Sequence, residues 1–188
     1  DGAAADAAAS AGVSSITIPW YDVAPGARKN HVGVMIARVM LARTAHQQDA
    51  SAVLFVDADI RPSASTWQLI DDNLRAGVQV VVAPYARRAT AGAPTVFVEV
   101  DGAPAVRDAR ELRPAAGETS AVILGGGFGC TAIITVVACT VPFMLKELDT
   151  AALEFGREVG WFFNAQRDGV EVRMLHEHLV EHRGVALN

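Results

Sequence analysis

Two carboxylates, Asp57 and Asp59, stand one residue apart directly after the apolar run Val53-Leu54-Phe55-Val56. In an extended chain alternate residues point the same way, so the two side chains are expected to project from one face about 6 to 7 Å apart. Acids that close repel each other and are costly beside a hydrophobic strand, so a cation, hydrogen-bond donors or solvent must compensate them. One divalent ion or one polar ligand can engage both. The competing reading is local: Asp59 opens a turn with Ile60, Arg61 and Pro62, and Asp57 accepts hydrogen bonds from the loop backbone.

The elements around this pair decide between the two. From Ala27 to about His46 the spacing predicts a helix with Val32, Met35, Ile36, Val39 and Met40 on its apolar stripe and Arg38 and Arg43 off it. Ser51 to Val56 reads as a central strand covered on both faces. After Pro62 and Ser63 a second helix carries Trp67, Ile70 and Leu74 inward and stops at Gly77, and Val78 to Ala83 is another buried strand. With the short β-branched run Ser15 to Pro19 in front, this order implies right-handed crossovers in a mostly parallel sheet with helices on both faces, an α/β fold. Ligands of such sheets bind beyond the carboxyl ends of the strands, where Asp57 and Asp59 stand.

Beyond Pro84 the pattern is less regular. A strand is expected at Thr95 to Val100, a charged loop through Glu118, and strands at Ala121 to Leu124 and Thr131 to Val137 on either side of a glycine run. A helix follows near Thr150 to Arg167, and Val170 to Met174 alternates as a half-exposed strand. The alanine-rich stretch Asp1 to Gly12 is the tail of a helix or a loose end, and no internal repeat is visible.

Composition bounds the rest. The 188 residues are 51% hydrophobic and 20% charged, with a mean hydropathy of +0.25, enough for one sizeable core, so a single domain over 1–188 is expected. Alanine and glycine supply much of the apolar count and no apolar run reaches the length of a spanning helix, so a soluble domain is expected. A net charge of -5 and a pI near 5.5 argue against a nucleic-acid partner. Cys130 and Cys139 bracket the run read as a strand, which would hold them roughly 30 Å apart and unpaired. Free thiols suit a reducing compartment or simply buried small hydrophobes, so localisation stays open between cytoplasm and, for a piece of a longer chain, a Golgi lumen. No signal peptide is visible at the start, where Asp1 and Asp6 interrupt the alanines.

At this point the chain resembles a family. Ala27-Arg28-Lys29-Asn30 with its helix, Val53 to Arg61, and Val80-Val81-Val82-Ala83-Pro84-Tyr85 look like the nucleotide-sugar half of GT-A glycosyltransferases. Gly125-Gly126-Gly127-Phe128-Gly129-Cys130-Thr131 is similar to the glycine-rich turn and strand of the acceptor side. Glu154-Phe155-Gly156-Arg157-Glu158 resembles the acidic motif that opens the acceptor helix, and Leu179-Val180-Glu181-His182 the closing strand with its metal-binding histidine. Order and spacing resemble in particular the Anp1/Mnn9-type mannosyltransferases and related bacterial and viral enzymes, over roughly Arg28 to Gly184. One departure concerns the base: the family opens with a strand and loop that contact the nucleoside. No such strand stands out before Ser15, so either the chain starts inside the domain or its first strand is disguised.

The resemblance implies a GT-A, Rossmann-like fold with a nucleotide-sugar half at about 15–88, an acceptor half at about 89–188 and a small antiparallel extension on the acceptor side. It implies a hexosyltransferase that moves a sugar from a nucleotide-diphosphate donor to a glycan or other hydroxyl acceptor, with Mn2+ or Mg2+ neutralising the leaving diphosphate. Asp59 and His182 would be the metal ligands. Asp57 would face the ribose or the donor-sugar hydroxyls, Arg28 and Asn30 would help hold the donor, and Glu158 would take the proton from, or position, the acceptor hydroxyl. Each has a rival: His176 and His178 for His182, Glu154 one turn before Glu158, and plain solvated charge for Arg28 and Lys29. The glycine run lacks the spacing of a phosphate-binding fingerprint and reads as backbone geometry for a turn or a close approach by a ligand.

Two other classes compete. Haloacid-dehalogenase-like phosphohydrolases also place Asp-x-Asp at a strand end, but their motif usually continues with Gly and Thr, whereas Ile60, Arg61 and Pro62 follow here. A non-catalytic nucleotide- or carbohydrate-binding module would keep the binding residues and lack transfer.

Overall fold

The computed structural model describes residues 32–86, 94–143, 157–176 and 180–182. The readings that fall elsewhere lie outside the described residues: the run Ser15 to Pro19, Arg28, Lys29 and Asn30, Glu154 and the first part of its helix, and His178. Helix α1 (Val32–Gln47) leads into strand β1 (Ala52–Val56), a short strand β2 (Ile60–Arg61), helix α2 (Ala64–Arg75) and strand β3 (Val80–Val82). Strands β4 (Thr95–Val100) and β5 (Ala103–Asp108) follow, then β6 (Ser120–Ile123), β7 (Cys130–Ile134), helices α3 (Thr135–Thr140) and α4 (Arg157–Arg167), and strands β8 (Val172–Leu175) and β9 (Glu181–His182).

The punctuation is chemical. Ser63 caps α2, its hydroxyl accepting from the Thr66 amide at 3.2 Å, and Gly77 takes a φ of +93° just beyond the helix. Asp101 and Gly102, with φ of +53° and +77°, join β4 to β5 as a two-residue hairpin loop. The expected charged loop up to Glu118 therefore contains a strand, and the Asp-Gly pair was its signal.

The central sheet has five strands in the order β1-β7-β3-β8-β6. Valines alternate across it: Val80 and Val82 join the cluster formed with α1, α3 and α4, whereas Val81 joins Ile70 of α2 on the opposite face. Helices thus cover both faces, as α/β layering requires. The mostly parallel sheet is corrected, because among the described residues only β3 and β8 are parallel neighbours, while β1–β7, β7–β3 and β8–β6 are antiparallel. β1 and β3 do run in the same direction, joined by α2, but β7 lies between them and opposes both. A continuous apolar run reports burial on two faces, not the direction of its neighbours.

Two further expectations change. The run read as a strand to Val137 turns helical at Thr135, whose amide and hydroxyl bond the carbonyls of Ser51 and Ala50 at 2.9 and 2.6 Å. β1 begins at Ala52, so the ladder has no further partner for it. On α1 the buried stripe is Met35, Arg38 and Ala42, rotated from the expected one, and Met40 is 43% exposed. No helix among the described residues is long and apolar enough to cross a membrane. Both cysteines are free, Cys130 buried and Cys139 exposed.

Candidate functional site

β1 carries Asp57 to the rim of the sheet, and the last rung is the Asp57 amide donating to the Gly129 carbonyl at 2.9 Å. The chain then turns, with the Ile60 amide donating to the Asp57 carbonyl at 2.9 Å and Ala58 and Asp59 inside the turn. This corrects the expectation that the two acids are alternate residues of an extended strand: they meet different partners.

Asp59 meets His182. β2 pairs antiparallel with β9, setting Ile60 opposite His182, and the imidazole Nε2 lies 3.1 Å from Asp59 Oδ2. The other ring nitrogen, Nδ1, lies 2.7 Å from the carbonyl oxygen of Ala86. A carbonyl can only accept, so Nδ1 carries a proton, and in a neutral ring Nε2 then turns a lone pair toward a carboxylate oxygen. Two acceptors at that distance need a proton or a cation to join them. Around a divalent ion with bonds of about 2.1 to 2.2 Å, adjacent ligands at right angles stand about 3 Å apart, so the pair fits a shared ion as well as a shared proton. Among the described residues no three His, Cys, Asp or Glu side chains converge, so the pair would supply two protein ligands and leave further positions to oxygens of a substrate or water.

His182 is held by a built support. Tyr85 meets it edge-on with ring centroids 5.6 Å apart, and the backbone bridges Tyr85 to Val180, two residues before the histidine. The Tyr85 hydroxyl accepts from the Gly129 amide at 3.3 Å. A Cβ on Gly129 would come within 2.7 Å of Tyr85 Cζ, and one on Gly127 would collide with the Tyr85 hydroxyl oxygen. The glycine run therefore serves a close approach, but by a tyrosine side chain rather than a ligand.

Asp57 meets Arg38, a residue expected off the apolar stripe and found 4% exposed. Its Nη2 is 3.6 Å from Asp57 Oδ1, and its guanidinium lies 4.6 Å over the ring of Phe128. The missed signal is the helical face Met35, Arg38, Ala42, at spacing i, i+3, i+7. Next to this pair, burial first and the Asp57 charge second push the Cys130 thiol up to about 12, so it stays protonated.

The remaining candidates are less joined to this site. Glu158 is the second residue of α4, in its first described turn, and its side chain lies outside what is described. Of the rival histidines, His176 accepts from Arg113 Nη1 through Nε2 at 3.2 Å.

No family model matches the chain. Protein H233R of African swine fever virus, in the Warthog/Namibia isolate, is 32% identical over 176 residues, which cover 84% of this chain and 72% of the viral protein. The Pig/Kenya isolate has 32% identity over 180 residues with the same coverage. Among solved structures, A197 from STIV superposes with a TM-score of 0.52 over 82% of this chain and 78% of that one, at 15% identity, a likeness of fold alone.

Proposed function

This chain belongs to the family of the African swine fever virus H233R protein, and from its own site geometry we propose that it is a metal-dependent glycosyltransferase with a GT-A core. The reading rests on one observation above all: the Asp59 carboxylate and His182 imidazole face each other at 3.1 Å with the outer ring nitrogen committed to a carbonyl. That arrangement presents an imidazole lone pair and a carboxylate oxygen at the rim where β1 ends, as a divalent cation requires.

Asp59 and His182 would hold Mn2+ or Mg2+. When bound, such an ion supplies positive charge for the oxygens of a departing nucleoside diphosphate. The Ala86 carbonyl fixes the tautomer of His182 and so keeps Nε2 available as a ligand. Asp57 accepts from hydroxyls of the donor ribose or sugar, with Arg28 and Asn30 on the donor side. Glu158, in the first described turn of α4, is the group to take or orient the acceptor proton. The donor half is then 15–88 and the acceptor half 89–188, with the β4–β5 hairpin as its antiparallel extension. The partners are a nucleotide sugar and a glycan or other hydroxyl acceptor.

Thermal unfolding with Mn2+ against a panel of nucleoside diphosphates tests the reading, since a ligand of the native state alone raises its apparent stability. The expected result is a shift that needs both metal and nucleotide, together with donor turnover. No shift with any nucleotide rejects the proposal, and binding without donor hydrolysis or transfer favours a non-catalytic module.

A further inference from the structure

The Arg38–Asp57 pair joins two unlike partners. Arg38 stands on α1 with its side chain 5% exposed, while the Asp57 side chain is 47% exposed on the turn. A guanidinium is not deprotonated in proteins, so one taken out of water needs a counter-charge and a soft surface to lie on. Asp57 gives the first, with Nη2 3.6 Å from Oδ1, and the Phe128 ring gives the second at 4.6 Å. The same ring packs edge-on against Phe55 and Trp161, so Arg38 rests on a buried aromatic cluster. The anchored partner orients the exposed one.

The consequence for the site is a division of labour between two acids only one residue apart. Asp59 has its counter-group in the His182 ring at 3.1 Å, on the β9 side. Asp57 has its charge compensated from within the protein, which makes it a poor competitor for a cation and a good acceptor for neutral hydroxyls.

We propose that Arg38 is a positioning residue acting through Asp57: its buried guanidinium fixes and neutralises that carboxylate, reserving it for hydroxyl groups while Asp59 and His182 take the cation. The inference rests on the reading of the site as a cation and nucleotide-sugar centre.

Titration of the protein with Mn2+ alone, followed by the electron paramagnetic resonance of the free ion, tests it. Asp57→Asn in the otherwise native chain is expected to change the Mn2+ dissociation constant by less than about fivefold, the size of a solvent-screened charge effect. Asp59→Asn should weaken it by more than about tenfold, since even outer-shell partners of a metal are worth that much. In an Arg38→Met background Asp57 loses its counter-charge and becomes a ligand, so Asp57→Asn should then cost more than about tenfold, a coupling that a purely structural arginine does not produce. If Arg38→Met does not fold, Asp57→Asn in the native chain decides alone, because the half-exposed amide keeps an oxygen toward the Arg38 guanidinium. A loss there as large as that of Asp59→Asn overturns the role of Arg38 while leaving the cation site standing. If the native protein takes up no Mn2+, the cation centre itself fails and this inference with it.

Discussion

His182 stands 3.1 Å from Asp59 through one ring nitrogen while the other lies 2.7 Å from the carbonyl of Ala86. The second contact governs the first, because a carbonyl can only accept, so it holds a ring proton on Nδ1 and aims Nε2 at the acid. A surface histidine paired casually with an aspartate has no such orienting bond.

Asp59→Asn keeps a group that can donate to Nε2, so the local structure should survive. The Asp59 side chain is 42% exposed, and solvent-accessible pairs of this kind are worth about 1 kcal/mol or less. Calorimetry should therefore find nearly native unfolding, while the proposed metal-dependent activity disappears. A large loss of stability would instead mean that the acid serves the turn.

Gly127→Ala places a methyl group where the Tyr85 hydroxyl now lies. Overpacking of this kind costs about 1 to 3 kcal/mol, read as a lower Tm. Adding Tyr85→Phe removes the colliding oxygen and should return part of the loss, so the two substitutions should be less than additive. Strict additivity would mean that the glycine is needed for its backbone alone.

The two thiols should separate cleanly. Cys139 is exposed and Cys130 buried, so a thiol reagent should label one cysteine in the native protein and the second only on unfolding. The Cys130 pKa is raised in the fold from 9.0 to about 12, so the stability tied to its protonated form is fully present below about pH 9 and is lost as pH rises toward 12. Cys130→Ala should flatten the alkaline limb of the stability curve; an unchanged limb would contradict the assignment.

Phe128→Ala should be the most damaging of these changes. The ring is fully buried among Phe55, Phe143, Trp161 and Phe162, and losing a core phenylalanine costs about 3 to 5 kcal/mol. It also removes the surface beneath Arg38. Urea unfolding should give a lower midpoint with a similar slope.

Much of the architecture was legible in the residues. Ser63, Gly77 and the apolar runs before Asp57 and before Pro84 carry local signals strong enough to place α2, β1 and β3 within a few residues. What was not legible depends on partners far along the chain. Thr131 to Val137 reads as a strand from its own residues, but nothing in them tells that β7 inserts between β1 and β3, and that insertion makes the sheet mixed. Thr135 leaves the strand because its partner has ended, which is a property of Ala52 rather than of Thr135. The site divides in the same way. Asp59 and His182 were both named, and the structure brings them together. Arg38 was placed off the apolar stripe, and its burial is supported by the Phe128 ring and the Asp57 carboxylate, which lie far along the chain from it.

The late arrival of β7 also shapes how the molecule can be made. A nascent chain that has left the ribosome only through β3 has two strands that in the finished fold run in like direction with β7 between them, about 10 Å apart and twice the usual strand spacing. Their inner N–H and C=O groups stay open to water until the plug arrives, so the first half has no finished sheet to stand on. Expressed alone, residues 1–88 should clump through those raw edges, and co-expression with 89–188 should rescue them. The two halves of the sequence would then be one unit of folding, zipped shut by a strand that belongs by sequence to the second and by position to the first.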